Sequence, residues 1–187
     1  MGIFPWYSQS TPILWWSPDP RLVLFPGEIH ISKSLGRVLK RQRYRVTFDR
    51  TFRSVMEQCG SVKRKEGDGT WIVPEMLEAY CRLHELGFAH SAECWDGDTL
   101  VGGLYGVWLG RIFFGESMFA LRPDASKIAL VHLVERLRDR GCVLIDCQVT
   151  TEHLRRLGAR EIPRDLFLVY LDRALRASTE RGSWNEG

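Results

Sequence analysis

The stretch that decides the fold is HSAECWDGDTLVGGLYGVWLGRIFFGES, residues 90–117. It contains three largely apolar runs, HSAECW, TLVGGLYGVWL and RIFFGES, whose composition is typical of β-strands. Asp96-Gly97-Asp98 and Gly110 separate the runs. Runs joined by turns this short pair as antiparallel neighbours. The sequence therefore predicts an antiparallel meander in the middle of the chain.

The segments that follow the meander predict helices and one further strand. DASKIALVHLVERLRDRG (124–141) has the period of an amphipathic helix, which Gly141 ends. VLIDCQV (143–149) is typical of a buried strand, TEHLRRLGA (151–159) of a short helix, and RDLFLVYLDRAL (164–175) carries a further apolar stripe. The order of a meander, a helix, a strand and a helix indicates an α+β fold.

The segments that precede the meander are more varied. Residues 1–30 are rich in Pro, Trp and Ser, which predicts short extended pieces and turns. The sequence then predicts a short helix over 32–41, a strand at YRVTF (44–48) and a helix capped by Asp49. After the loop GSVKRKEGDGT, Pro74 is placed to begin another helix, which Gly87 ends.

This order matches the later half of the N-acyltransferase (GNAT) fold. In that fold the cofactor phosphates lie on a Gly-rich turn that opens the central helix, because backbone N–H groups must approach them closely. The corresponding turn here, SMFALRPDAS (117–126), contains no glycine. The pattern therefore predicts an acyltransferase-like chain with no obvious place for a pyrophosphate.

Composition narrows the class of protein. The chain has 187 residues and is 44% hydrophobic, which predicts one large domain or two small ones. We found neither a signal peptide nor an apolar run of membrane-spanning length, and expected a cytoplasmic protein with no membrane partner. The 5 cysteines form no C-x-x-C pair and the 5 histidines form no ligand cluster, so no metal site is predicted.

A basic stretch stands before the meander. Its residues are spaced three and four apart, so a helix would align them along one stripe: Lys33, Arg37, Lys40 and Arg41. A solvated helix face is the commoner explanation for such a run. A stripe of one sign also suits a phosphate backbone, which makes nucleic acid the alternative.

The predicted strand at 143–149 carries an acid, Asp146, and an amide, Gln148. Residues two apart in a strand point to one face, so the two side chains can share a site while Ile145 faces the other way. On the pattern alone, a partly buried structural acid beside a satisfied amide is favoured over a catalytic pair.

A resemblance to a known family changes this balance. The blocks follow one another as in bacterial leucyl/phenylalanyl-tRNA–protein transferases, which the sequence resembles from about residue 2 to residue 172: GIFPWYS, PILWWSPDPR, EGDGTWI, AYCRLHELGFAHSAECW, LVGGLYGV, FFGESMF, ASKIAL and LIDCQV. The resemblance implies transfer of Leu or Phe, with Met a further candidate, from aminoacyl-tRNA to proteins with an N-terminal Arg or Lys. The product is an N-degron that marks the acceptor for proteolysis, and no cofactor is used.

The resemblance also implies roles for individual residues. Asp146 and Gln148 become the catalytic pair, with the proton leaving through Asp146, a water or the departing ribose oxygen. Trp6 and Trp71 match tryptophans that bind the terminal adenosine, on which a base can stack. The basic stripe matches residues that grip the tRNA backbone. The aminoacyl pocket is implied to comprise Leu104, Phe113, Glu116, Ser117, Met118, Leu133 and Ile145.

Two pocket positions differ from forms of the family that have Met and Phe where this chain has Leu104 and Leu133, which implies a shifted Leu/Phe preference. For each apolar pocket residue, plain core packing is the alternative. If Ile145 points into the pocket, a twist or bulge must relax the strand alternation. Glu116 is also a candidate for the acidic pocket of the acceptor's Arg or Lys.

The family usually carries a longer N-terminal segment. We therefore expected residues 1–30 to be the remnant of a small, truncated N-terminal domain and residues 31–187 to form the GNAT-like catalytic domain, in a monomer. Two other functions remain as alternatives: a coenzyme-A-dependent N-acetyltransferase and a non-catalytic tRNA-binding module.

Overall fold

A computed structural model describes residues 2–6, 12, 14–61 and 72–185 of the chain. Its strands are β1 (Phe4–Trp6), β2 (Leu14–Trp16), β3 (Arg21–Leu24), β4 (Arg45–Phe48), β5 (Ala89–Asp96), β6 (Thr99–Leu109), β7 (Ile112–Ala120), β8 (Leu144–Gln148) and β9 (Arg160–Ile162). Its α-helices are α1 (Lys33–Lys40), α2 (Phe52–Ser61), α3 (Pro74–Glu85), α4 (Ala125–Asp139), α5 (Glu152–Arg155) and α6 (Arg164–Leu175).

A mixed 7-stranded sheet organises the fold, in the order β4-β5-β6-β7-β8-β3-β9. The predicted meander is confirmed: β5, β6 and β7 pair antiparallel, and β4 extends them on one side. The turns use glycines in the left-handed region, with φ of 60° at Gly97 and 56° at Gly110. β8 then joins β7 in parallel after the crossover through α4. The α+β, GNAT-like order expected from the sequence is therefore present.

Apolar side chains cover both faces of this sheet. On one face, α4 packs over the meander and buries the largest cluster, to which Leu104, Phe113 and Leu133 belong. On the other face, α2 and α3 cover the meander around Val55 and Tyr105. α6 covers β3, β7 and β8 on that same side, with Phe167 fully buried. Each strand thus alternates between the α4 face and the opposite face.

Residues near the N-terminus contribute to both sheets. β1 and β2 form a small two-stranded sheet, whereas β3 lies inside the large sheet between β8 and β9. All of Arg21–Leu24 is buried. The chain therefore enters the large sheet at residue 21, before the expected boundary at residue 30. That residues 1–30 are a domain remnant stays a prediction.

The C-terminal segment closes the core on the α4 face. Trp184 is 2% exposed and stacks on His90, with ring centroids 3.8 Å apart. Its backbone N–H donates to Asp49 Oδ2 at 2.6 Å, and its carbonyl accepts from Arg136 at 2.9 Å. The expectation that Asp49 caps a helix is wrong, because its carboxylate binds Trp184, Ser91 N–H and His90 instead.

Candidate active site

The site lies where β7 and β8 part. Their parallel pairing begins at Ile112 and Leu144 and ends at Phe114 and Asp146, while β7 continues to Ala120. Beyond Asp146, the end of β8 and the second half of β7 border an opening in the sheet. Gln148 stands at this opening, as the last residue of β8.

Asp146 is held by a residue from the other end of the chain. The Arg21 guanidinium donates through Nε to Oδ1 at 2.8 Å and through Nη2 to Oδ2 at 2.6 Å. Arg21 is 1% exposed and Asp146 0%. The guanidinium also lies over the rings of Phe4 and Phe167, 5.0 and 4.7 Å from their centroids. A bidentate pair of this kind fixes the carboxylate and answers why a buried strand carries an acid.

Gln148 is positioned through its backbone and its side chain. It has φ of 63°, in the left-handed region that a non-glycine residue adopts only under constraint. Its N–H donates to Asp146 Oδ1 at 2.9 Å, and its Nε2 donates to Glu116 Oε2 at 3.2 Å. Asp146 and Gln148 are therefore in contact through the Gln148 backbone, whereas the sequence predicted two side chains on one strand face; their catalytic role stays a prediction. The amide nitrogen is directed to Glu116, which leaves the amide oxygen for another partner.

Glu116 reaches Gln148 because β7 has a bulge. Tyr105 pairs with Ser117 and Gly106 with Gly115, so Glu116 is the extra residue between them. A side chain at Gly106 would collide with the Phe114 carbonyl and the Phe113 ring, so the close approach requires glycine. The bulge thus directs Glu116 toward Gln148 and toward Tyr80 of α3.

The environment of Glu116 makes it titrate near neutrality. The pKa of the Glu116 carboxyl is raised to about 7, mainly by burial and also by the nearby Asp146 carboxylate. Hydrogen bonds from Gln148 and Tyr80, and the Arg21 charge, oppose this rise in the pKa. Burial also raises the pKa of Tyr80, which keeps its hydroxyl protonated as a donor. A partly exposed carboxyl with this pKa can accept or release a proton near pH 7.

The apolar residues predicted for the aminoacyl pocket lie together on the α4 face. Leu104, Phe113, Leu133 and Ile145 are each at most 3% exposed, and Met118 packs against them. Glu116 and Ser117 are half-buried. Ile145 faces α4 while Asp146 faces α6, so the strict alternation holds at these residues.

The residues predicted to bind tRNA are only partly described. Lys33, Arg37, Lys40 and Arg41 lie on or directly after α1 and are all exposed, as a phosphate-binding stripe requires. The α1 N-terminus is capped by Ser32, whose Oγ accepts from Leu35 N–H at 3.2 Å. Trp6 belongs to β1 by its backbone, and its side chain lies outside the described residues, as does all of Trp71.

Sequence reasoning missed two residues of the site, Arg21 and Tyr80. Arg21 begins RLVL, a run that is otherwise apolar. An arginine in a buried strand needs a buried acid, and this signal could have paired it with Asp146. Tyr80 lies on the helix that Pro74 begins, and its local sequence gives no signal that connects it to Glu116.

Within residues 2–6, 12, 14–61 and 72–185, three or more His, Cys, Asp or Glu side chains nowhere come together as metal ligands. Over the same residues, none of the helices combines the length and the apolar character needed to cross a bilayer.

The mixed sheet, in which β8 joins β7 in parallel after the crossover through α4, has the strand order expected of an N-acyltransferase-like fold. The model for the leucyl/phenylalanyl-tRNA protein transferase matches residues 23–172, and the model for the N-terminal domain of that transferase matches residues 1–19. The chain therefore belongs to the leucyl/phenylalanyl-tRNA protein transferase family and is an aminoacyltransferase.

Relatives named leucyl/phenylalanyl-tRNA–protein transferase are similar over nearly the whole chain. The one from Anaeromyxobacter sp. (strain Fw109-5) is 64% identical over 98% of this chain and 78% of its own length. The relative from Syntrophobacter fumaroxidans is 60% identical over 98% of this chain and 78% of its own length. The relative from Myxococcus xanthus is 56% identical over 100% of this chain and 80% of its own length. Aminoacyl-tRNA and a protein are thus the substrates that the family name implies.

Solved structures are more distant. A GCN5-related N-acetyltransferase from Kribbella flavida matches with a TM-score of 0.47 and 11% identity, over 91% of this chain and 59% of its own. A functionally unknown conserved protein from Staphylococcus epidermidis matches with a TM-score of 0.48 and 10% identity, over 78% and 59%.

Proposed function

We propose that this enzyme transfers Leu or Phe from aminoacyl-tRNA to the α-amine of proteins that begin with Arg or Lys. The observation that carries the proposal is the chain of contacts Arg21–Asp146–Gln148–Glu116 at the opening between β7 and β8. It presents an amide oxygen and a carboxyl that titrates near neutrality at one point, beside a cluster of apolar side chains.

The amine is held by Gln148. In the reaction the α-amine nitrogen attacks the ester carbonyl carbon, and the bond between that carbon and the ribose oxygen breaks. Because Glu116 engages the amide nitrogen of Gln148, the amide oxygen accepts a hydrogen bond from the attacking amine. An amide oxygen is a very weak base, so this contact orients the nucleophile rather than deprotonating it.

The proton is taken by Glu116. Both oxygens of Asp146 are engaged by Arg21, so Asp146 positions Gln148 and is poorly placed to accept a proton. An α-ammonium group has a pKa of about 7.7–8.0. The pKa of Glu116, about 7, lies close to this range, so transfer from the ammonium to Glu116 costs little. After the neutral amine attacks, Glu116 gives this proton to the departing ribose oxygen. The nitrogen loses its second proton to water, so that a neutral amide, a neutral ribose hydroxyl and one hydronium ion result.

The aminoacyl side chain occupies the α4 face. The apolar set there supports this assignment, since Leu104, Phe113 and Leu133 are packed together with Ile145. Met118 is flexible and unbranched, which suits a pocket that takes both Leu and Phe. Accepting a side chain requires these residues to move apart by a rotamer change, because they are buried in the core.

The tRNA is bound by the α1 stripe and by the tryptophans. Exposed Lys33, Arg37, Lys40 and Arg41 bind backbone phosphates, and Trp6 and Trp71 bind the terminal adenosine. The carboxylate of Glu116 also attracts the cationic side chain of the acceptor residue. The product, with Leu or Phe at its N-terminus, is a degradation signal formed where charged tRNA is present, in the cytoplasm.

A transfer assay tests the proposal. The protein is mixed with labelled Leu-tRNA or Phe-tRNA and with a peptide that begins with Arg, and label in the peptide is the expected result. The matched control is the same peptide with its α-amine acetylated, which should remain unlabelled. Gln148→Ala should abolish labelling while tRNA binding persists.

Absence of label with the Arg peptide, while tRNA binds, would refute the transfer and favour a non-catalytic tRNA-binding module. Calorimetric binding of coenzyme A, together with acetylation of the peptide by added acetyl-coenzyme A, would favour the acetyltransferase alternative.

A further inference from the structure

A cavity lies beside the N-terminal end of α4, and neither Asp146 nor Gln148 belongs to its lining. Its volume is about 330 Å³. It is bordered by the start of α1, the first turn of α4, and α5 with the residues that follow it. Its lining residues are His30, Ser32, Leu35, Lys127, Glu152, His153, Arg156 and Leu157.

The lining of this cavity carries an excess of basic groups. Lys127 and Arg156 are cations, and two histidines stand beside them, while Glu152 is the acid of the lining. Lys127 Nζ also donates to Asp124 Oδ1 at 2.6 Å. Burial lowers the pKa of His153, and the charges of Lys127 and Arg156 lower it further. A lowered pKa favours the neutral ring of His153, so Lys127 and Arg156 are the cations that an anion in the cavity would contact.

One polar atom of the lining has no partner within the described part of the chain. Nε2 of His153 is buried and makes no hydrogen bond there. A buried polar atom without a partner is costly to maintain, and a ligand oxygen is one way to satisfy it. The charge of the lining and this nitrogen both indicate an anion with oxygen atoms.

We propose that this cavity binds a phosphodiester near the 3′ end of the aminoacyl-tRNA. The proposal rests on the proposed function. Its geometric basis is the position of the cavity between the α1 stripe and the candidate active site. The stripe begins at the end of α1 where Ser32 lines the cavity, and only residues 149–151 separate Gln148 from α5. The acceptor protein is excluded as the occupant, since its N-terminal Arg or Lys is cationic.

The cavity also supplies what the glycine-free turn before α4 lacks. In the GNAT fold, backbone N–H groups at this helix end bind phosphate. Here Asp124 precedes α4 with φ of 64° and makes no side-chain cap. Lys127 and Arg156 provide side-chain donors at the same end of α4, which suits a single phosphate of a flexible strand.

The test uses the full chain and three probes: the trinucleotide CCA, adenosine and inorganic phosphate. The variant is Lys127→Ala/Arg156→Ala. The control is Arg138→Ala/Arg173→Ala, which removes the same charge from exposed positions on α4 and α6. Calorimetry should show CCA binding weakened about tenfold in the variant, with a salt slope smaller by about 0.7 for each lost contact, and no change in the control.

Adenosine has no phosphate, so its affinity should be equal in all three proteins. A ring resonance of His153 should shift when CCA is added to the unaltered protein and stay in place with adenosine. Equal CCA affinity in the variant and the control would overturn the proposal. A His153 resonance that shifts with inorganic phosphate but not with CCA would also overturn the proposal, because the cavity would then bind a free anion rather than a phosphodiester.

If the double variant melts at a lower temperature than the control, Lys127→Gln and Arg156→Gln are measured singly. In that case, a His153 resonance that does not shift when CCA is added to the unaltered protein overturns the proposal by itself. Failure of this proposal and failure of the proposed function are distinguishable. A protein that labels the Arg peptide with the same KM for aminoacyl-tRNA in the variant retains its function and loses the cavity assignment. If the unaltered protein labels no peptide while CCA binding is weaker in the variant, the cavity assignment is supported and the proposed function is refuted.

Discussion

Breaking the buried pair of Arg21 and Asp146 should destabilise the fold far more than breaking an exposed pair. Arg21→Met keeps an apolar stem against Phe4 and Phe167 but removes the charge, which leaves the Asp146 carboxylate buried and uncompensated. Removing one partner of a buried pair costs about 3–5 kcal/mol. We expect that loss in the free energy of unfolding, measured by urea titration near pH 7.

Asp146→Asn leaves the complementary charge buried and should cost a similar amount. The double variant Arg21→Met/Asp146→Asn has neither charge, so its loss should fall short of the sum by about 2–3 kcal/mol. Arg176→Met is the control, because its pair with Asp172 is 77% and 67% exposed. That change should cost less than about 0.5 kcal/mol.

Two results would refute this reasoning. One is a loss below about 1 kcal/mol in Arg21→Met, and the other is additivity of the single changes to within about 0.5 kcal/mol. A catalytic measurement complements the cycle. Because Asp146 holds the Gln148 N–H, Arg21→Met should lower kcat while the KM for aminoacyl-tRNA stays nearly constant.

The remaining predictions concern other parts of the molecule. The free energy of unfolding of Gln148→Gly should exceed that of Gln148→Ala by about 1 kcal/mol, because φ at this position is 63° and only glycine adopts it without cost. Both variants should lose transfer activity. The pKa of Glu116 is 4.5 when unfolded and about 7 when folded, so the native state binds the extra proton between these values. Stability therefore falls as pH rises through that range, and urea titrations should show a shallower fall in Glu116→Gln. Trp184→Ala should cost about 3–5 kcal/mol in urea unfolding, because its ring is buried. Arg37→Ala with Arg41→Ala should weaken tRNA binding and reduce its salt slope by about 1 for each lost phosphate contact, as filter binding at several salt concentrations measures.

Each of these has a contradicting outcome. Equal stability of the two Gln148 variants would mean that the left-handed backbone carries no strain. If the pH dependence of stability is the same in Glu116→Gln, Glu116 does not titrate in this pH range. Trp15→Ala, at a site 62% exposed, is the control for Trp184, and equal losses would argue against the buried C-terminal segment. An unchanged salt slope would remove the α1 stripe from the tRNA interface.

Local patterns of sequence predicted the elements of the fold well. The meander and α4 follow from alternation, helical period and glycine turns, all of which act between near neighbours. Asp49 was misassigned because a helix cap and a carboxylate bound to Trp184 look alike in sequence. The partner stands 135 residues away, and no local signal connects the two.

The site was predictable only in part, for a similar reason. Strand periodicity predicted that Asp146 and Gln148 share a face, but it did not predict the hydrogen bond from the Gln148 backbone N–H, and their roles came from resemblance to a family. Arg21 is 125 residues from Asp146, so periodicity could not pair them. The bulge that directs Glu116 toward Gln148 is only weakly indicated by the sequence, through Gly106 within the β6 strand. A strand with glycine is compatible with several local geometries.

The insertion of β3 between β8 and β9 has a consequence for how the enzyme is made. β3 is synthesised early, yet both of its neighbours come from the last third of the chain, so its pairing closes a very long loop. Contacts of such sequence separation form late and slow folding. Until they form, Asp146 has no arginine beside it and Gln148 has no fixed backbone. Completing the sheet is thus also the step that assembles the candidate active site, so the proposed roles of Asp146 and Gln148 require the finished sheet.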